Sequence, residues 1–216
     1  MAYTIKQWRE RFNSRSDLSR MCTHLTKPNH SEDLTNQTFS QINIKAVDTL
    51  LKILQDKKLN GSTTSTGYIT GSTPAVCFQD APLTGLIQNI RHEEERRKNN
   101  PTEKLRYCGV GLAFMKQFIY KKNGRPVIYD DSTTARKYLS PNEHWRIVDF
   151  SLSNDNNLTD WTHEREWRLP NHLSFEYSHV HVILYNPDCY KYFIDNCPKN
   201  VLEEIRGITT LAVVAI

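Results

Sequence analysis

Apolar residues recur at helical spacing most clearly between Ile42 and Lys57. There Val47, Leu50, Leu51 and Leu54 fall at i, i+3, i+4 and i+7 and lay one stripe along a helix. Asn60-Gly61 stops it. Residues 3–20 read as a basic helix with Trp8, Phe12 and Leu18 as its apolar positions, and Leu83 to Lys98 as a third helix whose charged end is a solvated face. Extended segments show as short apolar runs. They are Met21–Thr26, closed by the proline at 28, then Pro74–Phe78, Arg106–Phe114, Arg125–Tyr129, Trp145–Phe150, Thr162–Leu169, His179–Tyr185 and a buried final strand Ile208–Ile216. Residues 28–41 and the Asn/Asp/Ser stretch Asp149–Asp160 read as loops. The Ser/Thr/Gly stretch Ser62–Gly71 is either a cover over a ligand or a plain connection. Shorter helices are expected at Met115–Tyr120, 133–140, Asp188–Cys197 and Val201–Arg206. Strands and helices mix without regular βαβ alternation, which predicts an α+β fold on a mainly antiparallel, curved or split sheet with flanking helices.

Length fits one domain spanning residues 1–216, with the helix over 3–20 as an edge element. A net charge of +4 permits nucleic-acid binding without requiring it. Its distribution is more informative. From Lys104 to Tyr129 stand six basic residues (Lys104, Arg106, Lys116, Lys121, Lys122, Arg125) and no acid, interleaved with Tyr107, Phe114, Phe118, Tyr120 and Tyr129. That is the composition of a surface that follows phosphates and stacks bases, or of core aromatics beside ordinary solvated lysines. The five cysteines are widely spaced and include no CxxC, so they predict reduced thiols in a cytoplasmic protein, with no disulfide framework and no zinc site. No leader is expected. No apolar run approaches the roughly 20 residues that span a bilayer, so no membrane partner is expected either.

The densest chemistry lies in Thr162-His163-Glu164-Arg165-Glu166-Trp167-Arg168-Leu169. As a strand, it points Glu164, Glu166 and Arg168 one way and Arg165, Trp167 and Leu169 the other. Two carboxylates on one face can line a cleft, or can pair with arginines on an exposed surface. His24 and Thr26 likewise share a strand face and can hold one polar ligand group, or serve only the structure. The Gly109-Val110-Gly111 step lacks the third glycine and the βαβ setting of a dinucleotide fingerprint. Glycines there mark a bulge or a close backbone approach.

Taken in order, the His24-Leu25-Thr26 step, the helix, the Ser/Thr loop and the late Glu164-Arg165-Glu166 resemble the ADP-ribosyltransferase layout, with an opening like that of the DarT-type nucleic-acid ADP-ribosyltransferases. Four further stretches are similar to the bacterial abortive-infection family AbiGi. They are Cys77-Phe78-Gln79-Asp80-Ala81-Pro82-Leu83, Tyr107-Cys108-Gly109-Val110-Gly111-Leu112-Ala113-Phe114, Lys122-Asn123-Gly124-Arg125-Pro126-Val127-Ile128-Tyr129 and Glu164-Arg165-Glu166-Trp167-Arg168. The resemblance covers roughly residues 20–170. It implies an ADP-ribosyltransferase-like fold and a phage-defence toxin that splits NAD between nicotinamide and ribose through an oxocarbenium-like transition state. Glu166 would meet the ribose 2′-hydroxyl and Glu164 would orient or deprotonate the acceptor. His24 and Thr26 would hold the adenosine-side ribose or the nicotinamide amide. Tyr68 or Phe78 would stack on the nicotinamide, and Arg125 or Arg106 would meet the pyrophosphate. Arg106, Lys116, Lys121 and Lys122 would guide single-stranded nucleic acid, RNA before DNA, and a cognate antitoxin would restrain the toxin. One departure is that Ser62–Ser65 lies in a loop and not at a strand start. A non-catalytic antitoxin or sensor module is the other reading left open. A metal-dependent nuclease is disfavoured for want of convergent oxygens, and no metal is expected.

Overall fold

The computed structural model describes residues 2–29 and 32–214. Helix α1 (Ile5–Asn13) opens on a capping box between Thr4 and Gln7, and strand β1 (Met21–Thr26) follows. Helix α2 (Phe39–Asp56) is capped the same way by Thr38 and Gln41, a T-x-x-Q signal that starts it three residues before its apolar stripe. Its end turns through Lys57, whose left-handed φ of 49° releases the chain into β2 (Lys58–Asn60). After the 62–71 loop come β3 (Ala75–Gln79), α3 (Leu83–Asn99), β4 (Val110–Met115) and α4 (Lys116–Lys121). The chain continues through β5 (Arg125–Pro126), β6 (Ile128–Asp130), α5 (Ser132–Tyr138) and β7 (Ile147–Asp149). It closes with β8 (Glu166–Pro170), β9 (His172–Ser174), β10 (His181–Leu184), α6 (Pro187–Asn196), α7 (Lys199–Glu204) and β11 (Gly207–Thr210).

The fold is α+β. Seven strands form one sheet in the order β11-β10-β4-β1-β3-β8-β5, antiparallel throughout except for the β10–β11 pair. Small two-stranded ladders, β2-β9 and β6-β7, stand beside it. The α2 stripe (Ile42, Ala46, Val47, Leu50, Leu54) packs with Phe78, Leu112, Phe114 and Val182 in one continuous core. Burying such side chains is the main favourable contribution, roughly 1.5–3 kcal/mol each before entropy.

The sheet is nearly divided in the middle. β1 pairs with β4 over six positions but with β3 at one, Thr23 opposite Gln79. Beyond that pair the His24 ring bridges the strands, its Nδ1 lying 2.9 Å from the Cys77 carbonyl oxygen. Gly111 explains the glycine-rich β4. A Cβ there would lie 2.1 Å from the His24 carbonyl oxygen, so no larger residue fits without moving a strand.

Several boundaries differ from the sequence expectation, each for a local reason. The first helix ends at Asn13 and buries no residue. The acidic octapeptide is not one strand: residues 162–164 form a 3-10 turn, Arg165 takes a left-handed φ of 46°, and only then does β8 begin. The stretch 125–129 is shared between two sheets, because β5 joins β8 and β6 joins β7. The final strand is half-buried, ends at Thr210 and is followed by a 3-10 turn over Leu211–Val214. Its expected last residues, Ala215 and Ile216, lie outside the described residues, as do His30 and Ser31 of the expected loop. No helix among the described residues is long and apolar enough to cross a membrane.

Candidate functional site

Directly paired strand residues share a face, so the register decides which polar groups meet. Thr23, Gln79 and Glu166 form one row on one face, and Cys77, Arg168 and Arg125 form the next row on the same face. His24 and Thr26 belong to the other face with Phe78 and Trp167. The sheet therefore puts Thr23 rather than His24 in the row of Glu166, with Gln79 between them, and His24 reaches the boundary only by filling the gap between β1 and β3.

Glu166 is 7% exposed and ion-paired with Arg168 in a two-pronged contact, Nε to Oε1 at 2.8 Å and Nη2 to Oε2 at 3.1 Å. The other Arg168 donors go to the carbonyls of Trp145 and Ile147, both at 2.9 Å, and of Tyr68 at 3.3 Å. All five guanidinium N–H groups are thus used. The last of these bonds ties the 62–71 loop to the site, and Ile69, packed with Ala75 and Trp145, anchors the loop further. The Glu166 backbone N–H donates to the Tyr129 hydroxyl at 2.8 Å. Gln79, beside Glu166, accepts from Asn89 on α3 at 3.2 Å.

Glu164 differs in kind. It is half-buried, and its carboxyl accepts no hydrogen bond among the described residues. Burial, and then the nearby Glu166 charge, push it up to about 8, against smaller opposing effects of Arg168 and Arg106. Carboxyls two residues apart thus occupy opposite environments, one clasped by a guanidinium and one without a partner among the described residues. That division is what separates acid from base roles in paired carboxylates. Cys77, half-buried on the same face, is raised well above the usual thiol range, first by burial and then by Glu166. His24 is lowered by burial. Its Nδ1 faces a carbonyl, which can only accept, so the neutral ring carries its hydrogen there and leaves Nε2 as an acceptor.

The remaining candidates scatter. Arg106 is exposed, with its guanidinium 4.7 Å from the centre of the Trp161 ring. Its backbone N–H donates to the buried Glu93 at 2.7 Å. Tyr68 is 79% exposed, with the Lys104 amine 5.1 Å from its ring centre. Thr26 is 3% exposed, and its hydroxyl has no hydrogen-bond partner among the described residues. Phe78 is 1% exposed and packs edge-on against Phe114, so it has no free face for a ligand ring. Arg125 donates to the carbonyls of Tyr120 and Gly124 and stacks on Tyr120 at 4.0 Å, which holds its guanidinium at the sheet edge. Lys116 is buried and paired with Asp80 at 2.7 Å, between the rings of Phe12 and Trp167. It is therefore separated in character from Lys121 and Lys122, which are exposed. Among the described residues no cluster of three or more His, Cys, Asp or Glu side chains is placed to hold a metal ion.

Thr23, Gln79 and Tyr129 are members of the site that sequence reasoning passed over. Thr23 lies one step from His24, but only the pairing with β3 and β8 reveals its row. Comparison of the chain with protein-family models, with curated proteins and with solved structures gives no match.

Proposed function

We propose that this chain is an NAD-dependent mono-ADP-ribosyltransferase acting on nucleic acid, RNA before DNA, with an ADP-ribosyltransferase-like sheet divided between β1 and β3. The observation that carries the reading is the contrast between Glu166, clasped by Arg168, and Glu164, unpartnered and pushed up to about 8. In this mechanism the bond between nicotinamide and ribose breaks and its electron pair leaves with nicotinamide. Glu166 stabilises the positive charge that develops on the ribose, through the 2′-hydroxyl. Glu164, once deprotonated, takes the proton of the acceptor group as that group bonds to the ribose. A proton held on one carboxylate and a guanidinium clasping the other suit those two tasks.

Support for nucleic acid comes from the segment beside Glu164. The guanidinium of Arg165 donates to the Asp17 carbonyl at 2.7 Å, which ties the segment after α1 to the residue between the two carboxylates. There α1 presents Lys6, Arg9 and Arg11 to solvent. Lysine and arginine on an open face attract a phosphate backbone. An antitoxin that restrains such a toxin would act by covering these residues.

One observation favours a second reading, a non-catalytic binding module. Arg168 is saturated, and Glu166 serves it as a buried structural partner. Labelled NAD, offered with separate pools of protein, single-stranded DNA and RNA, decides between them. Transfer to one pool by the wild type and not by Glu166→Gln establishes the transferase and names its acceptor. Neither transfer nor nicotinamide release, with both proteins folded by circular dichroism, leaves the binding module.

A further inference from the structure

We propose that Lys27 and Lys104 form a subsite for the diphosphate of a nucleotide, with the open face of Tyr68 beside them for a base. The proposal rests on reading the Glu164–Glu166 site as an NAD site. It moves the phosphate contact away from Arg125, whose guanidinium lies over the Tyr120 ring with Nη1 held by the carbonyls of Tyr120 and Gly124.

Both lysines line a cavity of about 290 Å³ between the end of β1 and the 101–105 segment. That volume lies at the low end of small-molecule pockets, suited to a diphosphate and its ribose rather than a whole dinucleotide. Its charges are unevenly committed. Of the lining acids, Glu32 pairs with Lys45 at 2.8 Å, Asp33 accepts from the Thr35 backbone at 2.9 Å, and Glu103 pairs with Arg96. Arg97 donates to the carbonyls of Glu103, Leu34 and Pro101. Lys27 and Lys104 have no carboxylate partner among the described residues. The nearest acceptor of Lys27 is the Leu105 carbonyl at 3.5 Å, the outer limit of a hydrogen bond.

A half-buried ammonium without a counter-charge is costly to keep. Here burial, and then Lys104, lower Lys27 from its ordinary value. An anion placed between the two amines would relieve both effects. Tyr68 links this cavity to the carboxylates, since its ring lies 5.1 Å from the Lys104 amine and its carbonyl accepts at 3.3 Å from Arg168, the partner of Glu166. Lys104 already lies against the Tyr68 ring, so a phosphate held there leaves the attached base within reach of that ring.

Calorimetric titration of the whole protein with ADP, and with adenosine as the phosphate-free control, tests the subsite. Lys27→Gln and Lys104→Gln should each weaken ADP binding about tenfold and leave adenosine unchanged. Tyr68→Ala should weaken both ligands. Lys104 is exposed, so its variant reports on binding even if the Lys27 variant folds poorly. ADP binding equal in wild type and both lysine variants, or absent from the wild type, overturns the subsite. Nicotinamide release from NAD is scored separately. Lysine-dependent ADP binding without release would keep the subsite and remove the transferase. Release that ignores both lysines would do the reverse.

Discussion

Arg168 clasps Glu166 through two parallel hydrogen bonds while its remaining donors hold the carbonyls of Trp145, Ile147 and Tyr68. One side chain therefore joins the acidic strand, the 3-10 segment before β7 and the 62–71 loop. Arg168→Met should destabilise the chain by about 3–5 kcal/mol, because it strands a buried carboxylate. The double variant Glu166→Gln/Arg168→Met should recover part of that loss. Urea unfolding of the three proteins measures it, and a double variant no better than the single would show that the carbonyl contacts dominate.

Glu164 makes stability depend on pH in a defined direction. The folded chain keeps its proton up to about pH 8, while the unfolded chain releases it near the ordinary value of 4.5. Its contribution is thus fully present below that ordinary value, falls as pH rises towards 8, and is level above. The slope is at most about 1.4 kcal/mol per pH unit for one proton. Glu164→Gln should flatten this part of the profile, as read by unfolding at a series of pH values.

The same group separates the two halves of the proposed reaction. Transfer to the acceptor should rise with pH through about 8, as Glu164 becomes able to take a proton. Glu164→Gln should suppress transfer at least tenfold and leave nicotinamide release within a few-fold of wild type. Release and transfer measured in one reaction would show whether the two part company.

Lys116 and Lys121 share a helix and differ in fate. Lys116→Gln leaves Asp80 short of its partner in a largely buried setting and should cost about 1–3 kcal/mol. Lys121→Gln and Lys122→Gln should fall within about 0.5 kcal/mol of wild type. If RNA affinity responds to these residues, the exposed pair should carry the effect. Filter binding alongside unfolding tells the two kinds of lysine apart.

Gly111→Ala forces a methyl group against the His24 backbone. A cost of about 1–3 kcal/mol is expected from overpacking, with strand β1 displaced. Because His24 bridges β1 and β3, its imidazole resonances in NMR should shift in this variant. An unshifted His24 in a stable variant would mean that the gap between the strands is set elsewhere.

The elements that could be read from residue order alone are those governed by neighbours along the chain. The stripe of α2 and the short apolar strands arise from contacts within a few residues, and each appears close to where its pattern puts it. The pairing of Glu166 with Arg168 also follows from alternation, since the two stand two residues apart on one strand. What alternation could not give is the break at Arg165. Its left-handed backbone takes Glu164 off the strand and into an environment unlike that of Glu166. Nor could it give the row of Thr23, Gln79 and Glu166, the burial of Lys116, or the unpaired amines of Lys27 and Lys104. Those depend on segments brought together from more than thirty residues apart. Register and burial are set by the whole packed sheet, and the same lysine or glutamate is solvated or enclosed according to which segment lands beside it.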